Sequence, residues 1–250
     1  MYRHLLVPVE CSDACVEAIG HAAELARSLG ARITFACLHA SANDDARRHR
    51  REAALLARAQ AAARAQGVPA SVLAADGIGI GIGERASRDY DLVCIAQGSA
   101  VPPVPGVAVL VCPCDARPMV ARAVGALLAV HRMRSDAYDD ALRTPHPDAR
   151  TIARLREVHR EEGALTAAIR ERTSTLDAEL DELARLAERE TALLARVAQA
   201  IENGEHADDS LFACARFACE RMGRIEGVVL PAARRCLRDA DWSALADGAH

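Results

Sequence analysis

The sequence predicts an α/β part with an open, mostly parallel five-stranded sheet, followed by an all-α part that forms an up-down-up-down four-helix bundle. Residues 1–116 alternate short apolar runs with helical patterns, which is typical of βαβ units. From about Pro118 the strand runs disappear, and four helical patterns with short breaks follow. Because the pattern changes near Asp115–Pro118, we predict an α/β domain at 1–116 and a helical domain at 118–250.

Five apolar runs are the predicted strands of the first domain. They read HLLVPV, RITFACLHA, SVLAAD, DLVCIAQ and VAVLVCP. The first helix follows HLLVPV, with Ser12 or Asp13 as its N-cap and Gly30 as its C-terminal stop. A second helix with a strongly charged face covers 43–67 and ends at Gly67. Strands and helices that alternate in this way predict parallel pairing.

The helical domain is predicted from patterns at 119–143, 148–172, 175–202 and 209–238. Pro231 is expected to kink the last helix, or to end it and start another turn. Short loops between the four helices favour the up-down-up-down arrangement. The third helix has the clearest seam, whose members recur at spacings of three and four: Leu180, Leu183, Ala187, Glu190, Leu194, Val197 and Ile201.

The composition excludes several classes of function. A net charge of −4 gives no reason to expect nucleic acid, and no apolar run approaches the roughly 18 residues of a membrane span. The sequence contains no Lys, which excludes a P-loop lysine and a Schiff-base lysine. We find no pairing of a nucleophile with a base in a recognisable motif, and therefore expect no enzyme.

The cysteines and the first residues predict the compartment. The 9 cysteines are an odd number and form no CxxC pair, which favours reduced thiols that pack as small apolar groups. MYRHLLVPVE is too short and too quickly polar for a signal sequence. We therefore expect a cytoplasmic protein that contacts neither membrane nor nucleic acid. The heavy use of Ala and Arg is typical of a GC-rich bacterial genome.

The first domain resembles the universal stress protein family. The resemblance covers about 1–114 and is carried by HLLVPVECSDAC, AAELARSLGA, DYDLVCIAQGS and VAVLVCP. It implies a five-stranded α/β fold that often dimerises through the last strand, and many members bind ATP. Here VAVLVC lacks the charges and prolines that block edge pairing, so we expect a homodimer through this strand.

The resemblance also implies a nucleotide site, of which this sequence keeps a vestige. Glu10 or Asp13 matches the acidic residue after the first strand, and Gly98 and Ser99 match the start of the phosphate loop. The segment that continues from them, QGSAVPPVPG, lacks the further glycines and the helix that would hold phosphates. Its prolines also remove N–H donors, so we expect no bound nucleotide.

The second domain resembles the hemerythrin-like, HHE cation-binding family. The resemblance covers about 120–247 and is carried by IRERTSTLDAELDELARLAERE and VVLPAARRCLRDADWSAL. It implies two irons, or another cation, held between four helices by His and Glu side chains. In this sequence Ala187, Arg221 and Ile225 stand at positions where the family has ligands. An arginine adds a positive charge beside the cations, so we expect the di-metal site to be largely lost and no cofactor to bind.

A residual cation site is the alternative, with iron, as a mononuclear or a di-iron centre, as its cofactor. On the second helix the family alignment places His159 one position after the family's histidine pair and matches Glu161 to the family's glutamate. Helical phase instead favours Glu162, and the register stays open. If instead no metal binds, Glu190 is expected to pair with an arginine or to lie at the edge of the seam, and His131 to be a hydrogen-bonded core histidine. The complete candidate set is His131, His159, Glu161, Glu162, Glu190 and Glu226.

Two functions from different classes follow from these expectations. The first is a non-catalytic, stress-associated protein that acts by interaction with a protein partner that the sequence does not identify. The second is an iron-binding sensor of oxygen, nitric oxide or iron that uses the residual site in the helical domain.

Overall fold

The computed structural model describes residues 2–10, 12–37, 46–73, 89–99, 106–144, 148–157 and 162–248. The chain divides into two compact units. Unit 1 comprises Met1–Asp115 and Gly223–Pro231, and unit 2 comprises Ala116–Met222 and Ala232–His250. The assignment of Gly223–Pro231 to unit 1 departs from the predicted division at 1–116 and 118–250.

The five strands described in unit 1 form one sheet in the order β3-β2-β1-β4-β5. Every described strand pair is parallel, which confirms the prediction of a five-stranded parallel sheet. β1 is central and β4 lies beside it, so both are rich in buried apolar residues, as both faces of a parallel sheet require. The strand bounds are β1 His4–Val9, β2 Arg32–Cys37, β3 Ala70–Leu73, β4 Leu92–Ala96 and β5 Ala108–Cys112.

Two described helices of unit 1 connect the first three strands: α1 (Asp13–Leu29) and α2 (Ala46–Ala65). Ser12 is the N-cap of α1, and its Oγ accepts a hydrogen bond from the Cys15 N–H at 3.2 Å. Gly30 ends α1 with φ +63°, a left-handed conformation that glycine adopts without steric cost. The N-cap at Ser12 and the stop at Gly30 confirm the sequence prediction.

All the described secondary structure of unit 2 is helical. Its helices are α3 (Pro118–Arg143), α4 (Ala149–Glu157), α5 (Glu162–Arg172), α6 (Asp177–Glu202), the part of α7 (Asp208–Arg224) up to Met222, the part of α8 (Leu230–Cys236) from Ala232, and α9 (Asp239–Asp247). The predicted second bundle helix, 148–172, corresponds to α4 and α5. Residues 158–161, between them, lie outside the described part of the chain.

One apolar core in unit 2 takes residues from α3, α4, α6 and α7. Its α6 members, Leu194 and Val197, belong to the seam predicted from sequence. The seam differs at two places: Leu186 is buried and the neighbouring Ala187 is half-buried, and Ile201 is also only half-buried. The core consists of Ala137, Tyr138, Ala141, Ile152, Leu155, Leu194, Val197, Ala207, Leu211, Cys214, Ala218 and Met222.

The helical path between α7 and α8 runs through a π-helical turn, Ile225–Val229. The Leu230 N–H donates to the Ile225 carbonyl, which is the i→i+5 bond of a π turn. The helix does not end at Pro231, because helical structure continues through this residue, with the π turn immediately before α8. The expected kink stays a prediction.

Among the described residues, no helix has both the length and the apolar character needed to cross a membrane.

Candidate functional site

Four charged side chains lie in the interior of unit 2, on four different helices. Arg134 of α3 and Glu190 of α6 are fully buried, Arg221 of α7 is 2% exposed, and Glu162 of α5 is 9% exposed. Burial of an isolated charge is strongly unfavourable, so each of these groups requires a partner of opposite sign.

The Glu190 carboxylate receives hydrogen bonds on both oxygens. Its Oε1 accepts from Arg134 Nη2 and from the Tyr138 hydroxyl, each at 2.6 Å. Its Oε2 accepts from Arg221 Nη1 at 3.1 Å. Two guanidinium groups and a phenol therefore compensate the loss of water around this fully buried carboxylate.

The Glu162 carboxylate is held by the same two arginines. Its Oε1 accepts from Arg134 Nη1 at 3.1 Å, and its Oε2 lies 2.7 Å from Arg221 Nη2. His131 Nε2 lies 3.5 Å from Oε1. Each guanidinium therefore bridges both carboxylates, and the four groups form a closed ring in which two positive charges balance two negative ones. We call this set of Arg134, Glu162, Glu190 and Arg221 the buried ion ring.

Local helix geometry positions two members of the ring, Arg134 and Glu162. His131, Arg134 and Tyr138 are separated by three and four residues, which places them on one face of α3. Glu162 is the first residue of α5, where the helix dipole favours a negative charge. It is buried together with Leu165 on the same face.

The pKa values of the surrounding groups follow from burial and from these charges. Burial raises the pKa of Glu162, but the His131 hydrogen bond and the positive charges of Arg221 and Arg134 outweigh it and lower the pKa to about 2. Burial, with the negative charge of Glu190, raises the pKa of the Tyr138 phenol well above its usual range. Burial and Glu190 also raise the pKa of the Cys214 thiol to about 12. Glu162 is therefore charged at neutral pH, whereas Tyr138 and Cys214 keep their protons.

The buried ion ring does not fit a bound cation. The carboxylate oxygens that would be ligands accept hydrogen bonds from guanidinium groups, and a guanidinium has no lone pair to offer a metal. An arginine side chain also keeps its positive charge at any ordinary pH, so it repels a cation placed beside it. Within the described ranges, no group of three or more His, Cys, Asp or Glu residues is arranged to hold a metal ion.

The predicted metal-site residues fall into three groups. His131, Glu162 and Glu190 meet in unit 2, where Glu162 is the inward residue that helical phase favours. Glu226 belongs to unit 1, where its Oε2 lies 3.4 Å from Arg58 Nε. His159 and Glu161 lie outside the described residues.

Arg134 and Tyr138 are members of the site that the sequence pattern alone does not assign to it. The signal was present, because Arg134 lies three residues after His131 and four before Tyr138 on the same helix. Arg221 was interpreted as a lost ligand, and the structure gives it a positive role as the second bridge between the carboxylates. The pairing of Glu190 with arginine, the expected alternative to a metal, is present.

In unit 1, two residues predicted for the nucleotide site contact each other. The Ser99 Oγ donates to Glu10 Oε1 at 2.6 Å, across the carboxyl ends of β4 and β1. In parallel sheets, ligands bind beyond the carboxyl ends of the strands, at the point where the strand order reverses. The Glu10–Ser99 hydrogen bond lies at that point, because β1 and β4 are adjacent although not consecutive.

The other two predicted residues flank this hydrogen bond along the chain. Asp13 is the first residue of α1, and Gly98 has φ +78°, which an L-residue with a side chain rarely adopts. Residues 100–105, which follow Ser99 in the predicted loop, lie outside the described part of the chain.

Two comparisons with known proteins bear on these observations. No curated protein matches the chain. The hemerythrin-like resemblance of 120–247 therefore stays a prediction. Strands β1 to β4 and the Glu10–Ser99 pair at the carboxyl ends of β1 and β4 lie within residues 1–100, whereas β5 lies beyond them. Residues 1–100 match the model of the Universal stress protein family, to which this part of the protein is similar.

Proposed function

We propose that the protein is a non-catalytic, stress-associated interaction protein, with a universal stress-like α/β part and a hemerythrin-like four-helix bundle that has exchanged its metal centre for the buried ion ring. The match of residues 1–100 supports the stress-related role. The proposed loss of the metal centre rests on one observation: two arginines, Arg134 and Arg221, bridge both buried carboxylates. The arginines occupy the oxygens of Glu162 and Glu190 that a metal would need as ligands.

The same ring argues against catalysis in unit 2. A general base needs an accessible lone pair and a pKa near neutral, whereas the Glu162 carboxylate has a pKa of about 2 and is held by two arginines. The Cys214 thiol, with a pKa of about 12, is not a nucleophile at neutral pH. The ring therefore fits the interior of a scaffold better than an active site.

The nucleotide site is proposed to be vestigial. In a nucleotide-binding member of the family, the acidic residue at the position of Glu10 would contact the ligand. Here the Glu10 carboxylate accepts a hydrogen bond from Ser99. That bond already occupies one acceptor position of the carboxylate. We therefore propose that the α/β part acts without bound nucleotide.

We propose that the protein interacts first with itself, through β5. This strand is at the edge of the sheet, and its apolar side chains are exposed to an unusual degree for their type. Val109 is 41% exposed, Leu110 38% and Val111 53%. An apolar edge strand with unpaired backbone groups favours pairing with another strand, and a second copy offers the same strand.

Sedimentation velocity of the full chain at micromolar concentration tests this homodimer. We expect a dimer that Val111→Lys converts to a monomer, because a buried lysine at the strand pair would lack a partner. Leu73→Lys is the matched control, since Leu73 is 40% exposed on β3, the opposite edge of the sheet, and we expect it to leave the dimer intact. A wild-type monomer, or equal effects of the two variants, would contradict the role of β5.

An iron-binding sensor of oxygen, nitric oxide or iron is the alternative. It is favoured by His131, a fully buried imidazole whose Nε2 lies 3.5 Å from a buried carboxylate oxygen of Glu162. For this site to hold iron, the two guanidinium groups would have to leave the carboxylates. The two proposals therefore differ in whether the purified protein contains iron.

A further inference from the structure

The segment Gly223–Pro231 is the part of the chain beyond Asp115 that unit 1 includes. It contains the π-helical turn Ile225–Val229, a geometry that is rare and occurs frequently at functional positions. Within unit 1 it packs against α1 and α2. Three features mark this packing as specific: a close backbone approach, a buried ion pair and a side-chain hydrogen bond to a backbone carbonyl.

The backbone of this segment lies directly against the backbone of α2. A Cβ atom added to Gly223 would overlap the Arg58 carbonyl oxygen and would stand 2.7 Å from the Ala61 Cβ. A Cβ added to Gly227 would overlap the Ala62 Cβ. Both glycines lie in helical structure and neither has a positive φ, so the close approach, and not backbone conformation, requires glycine at these positions.

The polar groups of the segment find their partners on α2 and just beyond it. Pro231 has no N–H, so the α-helical hydrogen bond to the Gly227 carbonyl cannot form. The Gln66 side chain supplies the missing donor, with its Nε2 at 2.6 Å from the Gly227 oxygen. The Glu226 and Arg58 side chains, which are 4% and 7% exposed, form an ion pair.

We infer that α2 and Gln66 form a recognition surface for a helix with glycine at two positions four apart and an acidic residue before the second glycine. The partner that this surface fits is the chain's own Gly223–Pro231. Shape, charge and hydrogen bonding agree: glycine faces alanine, Glu226 faces Arg58, and the carbonyl left without a donor by Pro231 faces Gln66. Residues from the C-terminal part of the sequence therefore complete unit 1, and Gly223–Pro231 covers α2.

Hydrogen–deuterium exchange of the full chain, followed by mass spectrometry of peptides, tests this recognition. Alanine is a better helix former than glycine, so Gly227→Ala would slow exchange if the position merely belonged to a helix. Because the added methyl group overlaps Ala62, we expect instead roughly tenfold faster exchange in Gly223–Pro231 and in α2, the usual effect of overpacking by one methyl group.

A second substitution restores the space. In Gly227→Ala with Ala62→Gly the overlapping Cβ is removed, and we expect most of the protection to return. Ala63→Gly is the matched control, because Ala63 is equally buried on α2 but is not among the atoms nearest to the added Cβ. Slower or unchanged exchange in Gly227→Ala, or equal rescue by the two glycine substitutions, would overturn the inference.

If Gly227→Ala alone does not fold, recovery of folded protein by Ala62→Gly and not by Ala63→Gly supports the contact equally. Gln66→Met tests the surface without a steric change, because it keeps the length of the side chain and removes the donor to the Gly227 carbonyl. Faster exchange in both segments supports the inference. Unchanged exchange in both segments overturns it.

Discussion

Two buried arginine side chains balance the two buried carboxylates in the interior of unit 2. Arg134 and Arg221 each contact both Glu162 and Glu190, so the loss of any one member leaves an uncompensated charge inside the protein. A buried ion pair adds little net stability compared with apolar packing, but a broken one is strongly destabilising. We therefore propose that the buried ion ring specifies which helices meet and in which register, more than it strengthens the fold.

Arg221→Met tests the ring at the residue scale. Met keeps the length of the side chain and removes its charge, so both carboxylates lose a counter-ion, and we expect a loss of about 3–5 kcal/mol in the free energy of unfolding. Arg185→Met is the control, because Arg185 is 58% exposed in its side chain and its pair with Glu182 should contribute less than about 1 kcal/mol. Chemical denaturation gives both values. Equal losses in the two variants would contradict the ring.

The pH dependence of stability is a second consequence at this scale. The pKa of Glu162 in the folded protein is about 2, below its ordinary value of 4.5. The unfolded chain therefore binds the proton more readily, and stability that is fully present above pH 4.5 is lost as the pH falls toward 2.

Denaturation at a series of acidic pH values, for the wild type and for Glu162→Gln, measures this effect. Glu162→Gln removes the titrating group, so we expect the variant to be less stable at neutral pH and to lose less of its remaining stability between pH 4.5 and 2. Parallel pH curves for the two proteins would contradict the low pKa of Glu162.

The sequence predicts half of this site, for a physical reason. His131, Glu162 and Glu190 are found because a polar side chain on an apolar helical face is conspicuous in a pattern of spacings. Arg134 and Arg221 are missed as partners because a spacing identifies the face of one helix and not the residue that faces it from another. The sequence therefore identifies the residues that need a partner, and the tertiary structure identifies the partner.

At the scale of elements, the sequence predicts helix ends and strands that are determined by neighbouring residues. It does not predict features that depend on tertiary contacts. Ser12 and Gly30 bound α1 as predicted, because capping uses the hydrogen bonds of adjacent residues. The π turn Ile225–Val229 was not predicted. Pro231, next to this turn, leaves the Gly227 carbonyl without an α-helical donor. The donor is instead the side chain of Gln66, which lies 161 positions before Gly227 in the sequence.

Gly30→Ala tests the end of α1. Gly30 has φ +63°, a conformation in which a Cβ is strained, so we expect a loss of about 1 kcal/mol in the free energy of unfolding. Gly163→Ala is the control, because Gly163 lies in helix α5 and, among the residues that the structure describes, no atom lies within 4 Å of an added Cβ, so alanine there should stabilise the protein. Thermal unfolding of the two variants should therefore shift in opposite directions, and a shift in the same direction would contradict the account of this cap.

At the scale of the whole molecule, the change of period near Pro118 predicts where strands give way to helices, and the described elements agree with it. The assignment of Gly223–Pro231 to unit 1 was not predicted, because periodicity reports the local structure of a segment and not the part of the molecule that it packs against. At this scale we propose that the helical part is built around its own internal charges and needs no metal.

Elemental analysis of the full chain, purified without chelators from iron-supplemented cells, tests that claim most directly. The buried ion ring predicts iron far below one equivalent per chain, with no rise in thermal stability when ferrous iron is added back, because the guanidinium groups occupy the carboxylates. Iron in stoichiometric amount, lost together with thermal stability in Glu162→Gln, would contradict the account and favour the sensor.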